Sequence, residues 1–297
     1  MDDKELENFK EAGKIAAKVR EDSKRLIMIG EPLLDIAETI EQMVIDEGAR
    51  LAFPVNISIN EIAAHYTPEL ECKRILQEND LVKIDIGVEL NSAISDTAYT
   101  IDLSGKNDLV KAAEDGLAIA IKNIKPGVTV GEIGGLIEDT IKAAGFKPIS
   151  NLSGHMIKSG VLHAGVNIPN VRSNDPYKFQ VGDVFAVEPF ATTGEGFVND
   201  TDQVEIFSLY APHPVRMRQS RKILQWIIEK YQLMPFAERW IRKAFTSKML
   251  VSVALRELLS NGIIRGYPVL KEAGDGLVAQ AEHTVLVEEK GVRVLTQ

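Results

Sequence analysis

Sulfur chemistry is nearly absent from this chain: a single cysteine, Cys72, stands among 297 residues. No intrachain disulfide can form, which fits a reducing compartment and gives the expectation of a cytoplasmic protein. Cys72 lies in "ELECKRIL" with no partner motif, so it reads as a packed, inert thiol. No apolar run is long enough to cross a bilayer, and no membrane association is expected. The opening "MDDKELENFKEAGK" is too charged for a secretory signal. Basic charge is in short supply as well. The 34 Lys and Arg face 43 Asp and Glu, and a net charge of −9 argues against nucleic acid as the main ligand.

What is present is the makings of a globular core, with 45% hydrophobic residues. Leu6, Phe9, Ala12, Ile15, Ala16 and Val19 recur at helical spacing and predict one amphipathic helix over 3–29. Further helices are expected at 34–47, 107–123 and 130–144, the first and last of these stopped by Gly48 and Gly145. Strand patterns occupy 52–60, 182–192 and 276–296. Between 206 and 275 the pattern turns almost wholly helical, with a break at Pro235. The expected architecture is α/β (α+β): a body of 1–205 and 276–297, with a helical insertion subdomain over 206–275.

The stretch "KIDIGVELNSAISDTAYT", from Lys83 to Thr100, reads as a hairpin with a carboxylate on each arm. With the turn centred on Leu90 and Asn91, Asp85 and Asp96 are direct cross-strand neighbours. A shift of one residue, or a bulge at Asn91-Ser92, still leaves them close. Two anions this near in apolar surroundings need a proton or a cation between them. The ordinary alternative is that one aspartate caps the turn and the other is solvated.

Three more segments place ionisable groups where a strand usually rejects them. "NLSGHMI" carries His155, "FAVEPFA" carries Glu188 and "VAQAEHTVLVE" carries Glu282. Together with the two aspartates, these make four carboxylates and an imidazole, a donor set suited to two divalent cations. Two M²⁺ ions and a bridging hydroxide would leave this set one negative charge, which suits a substrate bearing an ammonium group. His283, beside Glu282, points to the opposite strand face and is left out of the set.

At these residues the chain resembles the methionine aminopeptidases, and is most similar to the type II enzymes of the archaeal kind. The order Asp, Asp, His, Glu, Glu with "KIDIG", "SDTA", "SGH", "EPF" and "AEHT" carries the resemblance, which covers nearly the whole chain. "AFPVNISINEIAAHYTP" and "LHAGVNIPN" match stretches bearing two further active-site histidines, here His65 and His163. One departure is the hairpin turn, Asn91-Ser92 where the family usually has Asp-Gly or similar.

The resemblance implies the pita-bread fold with a winged-helix-like insertion. It implies two divalent ions (Co, Mn, Fe or Zn), bridged by Asp96 and Glu282 and completed by Asp85 on one side and by His155 and Glu188 on the other. The implied reaction removes the N-terminal methionine of nascent proteins whose second residue is small, through a metal-bound hydroxide attacking the first peptide carbonyl. Glu188 is implied as proton relay, His65 and His163 as donors to the scissile peptide, and Phe53 as lining of the methionine pocket. Ile206 and Pro235 are expected on its far wall. Each has a bland reading: core histidine, loop brace or core aromatic.

Two competing readings remain to be weighed. A proline-specific peptidase of the same fold usually carries an extra N-terminal domain, for which the 84 residues before Asp85 leave no room. A non-catalytic relative that binds RNA or protein typically loses ligands, and all five stand here. A monomer is expected. From Arg216 to Leu270, eleven Lys or Arg oppose three Glu, a local +8 that leaves −17 for the remainder. The ordinary explanation is solvated helix faces, some pairing with the acidic body; the functional one is a contact with ribosomal phosphates.

Overall fold

The computed structural model describes residues 1–297. Two half-bodies, each a helix pair laid on an antiparallel sheet, face one another across a seam. In the first, α1 (Asp3–Ser23) and α2 (Leu33–Asp46) cover a sheet in which the long strand Leu81–Leu90 is flanked by Arg50–Leu51, Asn56–Ile59 and Ala93–Asp102. Asp2 caps α1 by accepting from the Glu5 amide at 2.8 Å, and Phe9, Ala12, Ala16 and Val19 form its buried stripe. The helix expected over 3–29 stops at Ser23. Lys24–Leu26 tightens into a 3₁₀ turn, and Gly30 then takes a φ of 90°.

In the second half, α3 (Asp108–Asn123) and α4 (Val130–Ala143) cover a five-stranded sheet. Its order is Gly291–Val294, His283–Glu288, Val184–Val187, Ser153–Ile157 and Asn167–Pro169. Thr129 and Glu132 close a reciprocal capping box at the start of α4. Each half centres on an apolar cluster, the first of which reaches Ile157, Val184 and Leu286 of the second half. This is the α+β pita-bread arrangement.

The seam joins strand Ala93–Asp102 to the segment around Glu282. The Asp96 amide donates to Thr284 Oγ1 at 2.7 Å, and that hydroxyl donates back to the Asp96 carbonyl at 2.7 Å. Thr97 Oγ1 donates to the Glu282 carbonyl at 2.9 Å, and the Glu282 amide to the Ala98 carbonyl at 3.0 Å. Asp96 and Glu282 thus come from different halves but sit on one hydrogen-bonded seam.

The segment expected to be nearly all helical is helical only in its middle. Helices α5 (Arg218–Tyr231), α6 (Glu238–Ala244) and α7 (Lys248–Ser260) pack around an apolar cluster of their own that includes Ile223, Ile227, Phe236 and Leu258. Its flanks are strands, Val198–Leu209 paired with Ile264–Glu272, and the second of these also pairs with Ile62–Ala64. The β-branched and aromatic residues of "IIRGYPVL" favour the strand over the helical reading.

Of the eleven basic residues in this segment, four pair with acids of the body. Arg239 pairs with Glu41, Arg242 and Lys248 with Glu71, and Lys243 with Glu38. No helix of the chain is long and apolar enough to cross a membrane.

Candidate metal centre

The hairpin is present, but its register differs from the direct pairing of Asp85 with Asp96. Asn91 and Ser92, with φ of 51° and 73°, form the two-residue left-handed loop that matches strand twist. Centring the turn there pairs Asp85 with Ala98 and Gly87 with Asp96. The two aspartates are therefore diagonal neighbours on one face. Gly87, opposite Asp96, leaves the space that the Phe53 ring fills: a Cβ at Gly87 would lie 2.3 Å from a Phe53 ring carbon. A side chain there would push Phe53 off the floor of the site.

The second half supplies the other three groups. His155 pairs with Ala186 across neighbouring strands, so Glu188, two residues on, is its diagonal neighbour. Pro189 ends that strand and leaves Glu188 turned into the cleft. Glu282 precedes strand His283–Glu288, one residue before the His283–Val187 pair. His155 Nε2 lies 3.5 Å from Asp96 Oδ2 and 3.5 Å from Glu188 Oε1. Ligating atoms of Asp96, His155 and Glu282 all fall within 4.8 Å of one another, and all three residues are buried.

The electrostatics of this cluster are unbalanced. Burial, then repulsion from neighbouring carboxylates, pushes Asp85, Glu188 and Glu282 well above the usual carboxylate range. Burial also raises Asp96 to about 7, and lowers His155 to about 4. The Oδ1 atoms of both Asp85 and Asp96 are buried without a hydrogen-bond donor. Buried carboxylate oxygens that lack donors, gathered around a neutral imidazole, make a site that divalent cations fit: hard oxygen donors with one nitrogen, already converged.

The cluster floors a cleft of about 230 Å³. Phe53, Leu162, Phe190, Ile206 and Pro235 give it apolar walls. His163 lies over His155, with ring centroids 4.3 Å apart. His65 borders the same space in a left-handed conformation, φ 64°, which costs a non-glycine residue energy. Its Nδ1 is 3.1 Å from the Pro268 carbonyl, and its ring meets Tyr267 edge-on at 5.6 Å. Burial depresses its pKa, so the ring is neutral.

His283 faces away from the cluster, as its strand position requires. Its ring nitrogens lie 2.8 Å from Thr296 Oγ1 and 3.3 Å from Arg20 Nη1.

Several residues of the site carried no sequence signal. Tyr267, Asn56, Asn151 and Asn167 line the cleft, yet each looks ordinary in its local pattern. Gln280 donates to Glu282 Oε2 at 3.2 Å; its position two residues away on the same strand face was the available clue.

The model of metallopeptidase family M24 matches residues 7–289. A methionine aminopeptidase of Methanocaldococcus jannaschii is 46% identical over 297 residues, covering 99% of this chain and all of that relative. The chain belongs to the methionine aminopeptidases of family M24. Membership makes it a metallopeptidase, and the buried Asp96, His155 and Glu282 form a cluster that can hold a metal ion. The fold is shared with a solved structure described as a thermophilic Arx1, with a TM-score of 0.87, 18% identity, and coverage of 99% of this chain and 91% of that one. The methionine aminopeptidase of Thermotoga maritima gives a TM-score of 0.73 at 22% identity, covering 100% and 98%.

Proposed function

We propose that this enzyme removes the N-terminal methionine of newly made polypeptides whose second residue is small, using two divalent cations. The supporting observation is the convergence of four carboxylates and one imidazole beside a cleft with apolar walls, Asp96, His155 and Glu282 being buried, with no cationic side chain of the chain among them. Asp96 and Glu282, joined across the seam, would be shared by both ions; Asp85 would complete one, and His155 with Glu188 the other. Such ions supply Lewis acidity, polarising a carbonyl and lowering the pKa of water toward neutrality.

The chain's own groups do the rest. Phe53, Ile206 and Pro235 take the methionine side chain out of water, and the acidic floor receives its α-ammonium. The neutral ring of His163 donates to the oxygen on which negative charge develops, and His65, whose one ring proton faces the Pro268 carbonyl, accepts from the scissile peptide N–H through Nε2. Glu188, turned into the cleft, would accept a proton from the attacking water and return it to the departing amine. The narrow cleft leaves little room beyond the methionine pocket, hence the small second residue.

The test is hydrolysis of a Met-Ala-Ser peptide beside Met-Lys-Ser and Ala-Pro peptides, with metal content measured on the same protein. Cleavage of the first alone supports the reading. Preference for the Ala-Pro peptide would make the protein a proline-specific peptidase, and metal-free, inactive protein would make it a binding relative.

A ribosome contact through the insertion also belongs here as a proposal. The pairs with Glu38, Glu41 and Glu71 narrow its surface to exposed residues such as Arg216, Arg218, Arg221, Lys222 and Arg256. Co-sedimentation with ribosomes at low and moderate salt tests it. A variant with Arg218, Arg221 and Lys222 changed to Glu should be lost from the pellet. Equal sedimentation of both proteins, or none by either, removes the idea.

A further inference from the structure

Arg239 is the bulkiest fully buried side chain in the molecule, at 1% exposure, and lies far along the chain from its hydrogen-bond partners. Its guanidinium spans two segments of the body. Nη2 donates to Glu41 Oε1 on α2. Nη1 donates to Thr67 Oγ1 at 2.6 Å and to the Pro68 carbonyl at 3.3 Å. Thr67 Oγ1 donates in turn to the Val55 carbonyl at 2.7 Å. Glu41 is held from both sides, accepting from the Val55 amide at 3.3 Å and from Trp240 Nε1 at 2.9 Å. The Ile57 amide donates to the Tyr66 carbonyl at 2.8 Å, closing the two body segments on each other.

Through Glu41 and Thr67 the guanidinium is linked to Val55, and the stretches around Val55 and Thr67 carry the cleft's near wall and His65. Phe53 stands two residues before Val55, and His65 two residues before Thr67. On the other side, Arg239 follows the short strand Phe236–Ala237, which pairs with Ile206 and Phe207. Pro235 and Ile206 are the far wall. One guanidinium therefore ties both walls of the cleft together, from behind, without touching it.

Stability alone is a poor reason for this arrangement. Burial pushes the Glu41 carboxyl up and the Arg239 guanidinium down in spite of their proximity, so desolvation outweighs their attraction. Buried ion pairs can often be replaced by apolar residues of similar volume at no loss. What an apolar pair cannot do is fix three partners on two segments through a planar fork. Nor can it brace a residue that sits, as His65 does, at a costly φ.

We infer that Arg239, locked by Glu41, is a positioning residue that sets the width of the methionine pocket and the placement of His65. This rests on the proposed reading of the cleft. The test compares the parent with E41L/R239M and R239K in four measurements: melting temperature, metal content, kcat and KM separately on Met-Ala-Ser, and discrimination of Met-first against Leu-first peptides.

The double variant is expected to fold and bind the same metal, melting below the parent because the Val55 amide and Trp240 Nε1 lose their acceptor. Its kcat/KM should fall by roughly 10²-fold, with most of the loss in KM, and its preference for Met over Leu should narrow. R239K keeps the charge without the fork and should lie between the two. Parent-like KM and discrimination in a folded double variant would overturn the inference. If the double variant does not fold, R239K decides alone, and parent-like values there overturn it equally. A parent that cleaves no Met-first peptide would instead sink the functional reading.

Discussion

Two clusters of buried charge stand in this molecule, and they are solved in opposite ways. Around Glu41 the carboxylate meets a guanidinium, an indole N–H and a backbone amide, all from the chain itself. Around Asp96 there are four carboxylates and a neutral imidazole, and the buried Oδ1 atoms of Asp85 and Asp96 have no donor. A buried charge that the chain neutralises serves placement. A buried set that the chain leaves unneutralised is a vessel for cations from outside. The contrast separates the two roles without reference to any relative.

The comparison can be broken most severely at the unneutralised cluster. Asp96→Asn and Glu282→Gln should each abolish hydrolysis of Met-Ala-Ser and reduce bound metal, because the proposed reading has each group serving both ions. Full metal content with lost activity would show that the shared-ligand assignment is wrong. Next in size is His65→Ala, which removes a hydrogen-bonding ring from the cleft and no ligand. Turnover should drop roughly 10²–10³-fold with metal content unchanged. Metal loss in that variant would move His65 into the ligand set.

A smaller effect is expected one step back from the ligands. Gln280→Leu deletes the donor to Glu282 Oε2 and should weaken metal binding or activity by roughly 10–100-fold, measured by metal titration. Smallest is a pH effect on the metal-free protein. Asp96 rises from its ordinary 3.8 to about 7 on folding. Between those values the folded state holds a proton that the unfolded state has released. Stability is therefore fully present below that window and falls as pH rises through it. Melting temperature of stripped protein should decline from mildly acidic to neutral pH, and added Mn²⁺ should reverse the decline. A metal-free protein most stable at neutral pH would contradict the crowding of carboxylates.

The sequence made the unneutralised cluster visible because strands advertise their exceptions. Glu188 in "FAVEPFA" and Glu282 in "VAQAEHTVLVE" are charges in apolar alternation, and they stand out locally. The hairpin was legible, but its register was not. A shift of one position turns on Asn91 and Ser92 both accepting left-handed φ, which serine gives little reason to expect. The flanks of the insertion were missed because apolar runs such as "NGIIRGYPVL" carry no clear period.

Arg239 was invisible for a different reason. In "AERWIRKAF" it is one basic residue among several on a short helix, and its partner Glu41 is 198 positions away. Only the fold brings them together. The left-handed φ of His65 lies between two long-range contacts, the pairing of Ile62–Ala64 with Ile264–Glu272 and the bond of Arg239 to Thr67, neither of which the local sequence announces.

The claim that most needs a direct measurement is that the unneutralised cluster is the catalytic vessel. Protein stripped of metal should be titrated with Mn²⁺ or Co²⁺ while binding and cleavage of Met-Ala-Ser are followed together. The account predicts no cleavage at zero metal, two ions bound per chain at saturation, and activity that rises with occupancy and is absent in Glu282→Gln. Cleavage by the stripped protein, or saturation with metal that leaves the peptide intact, would contradict it.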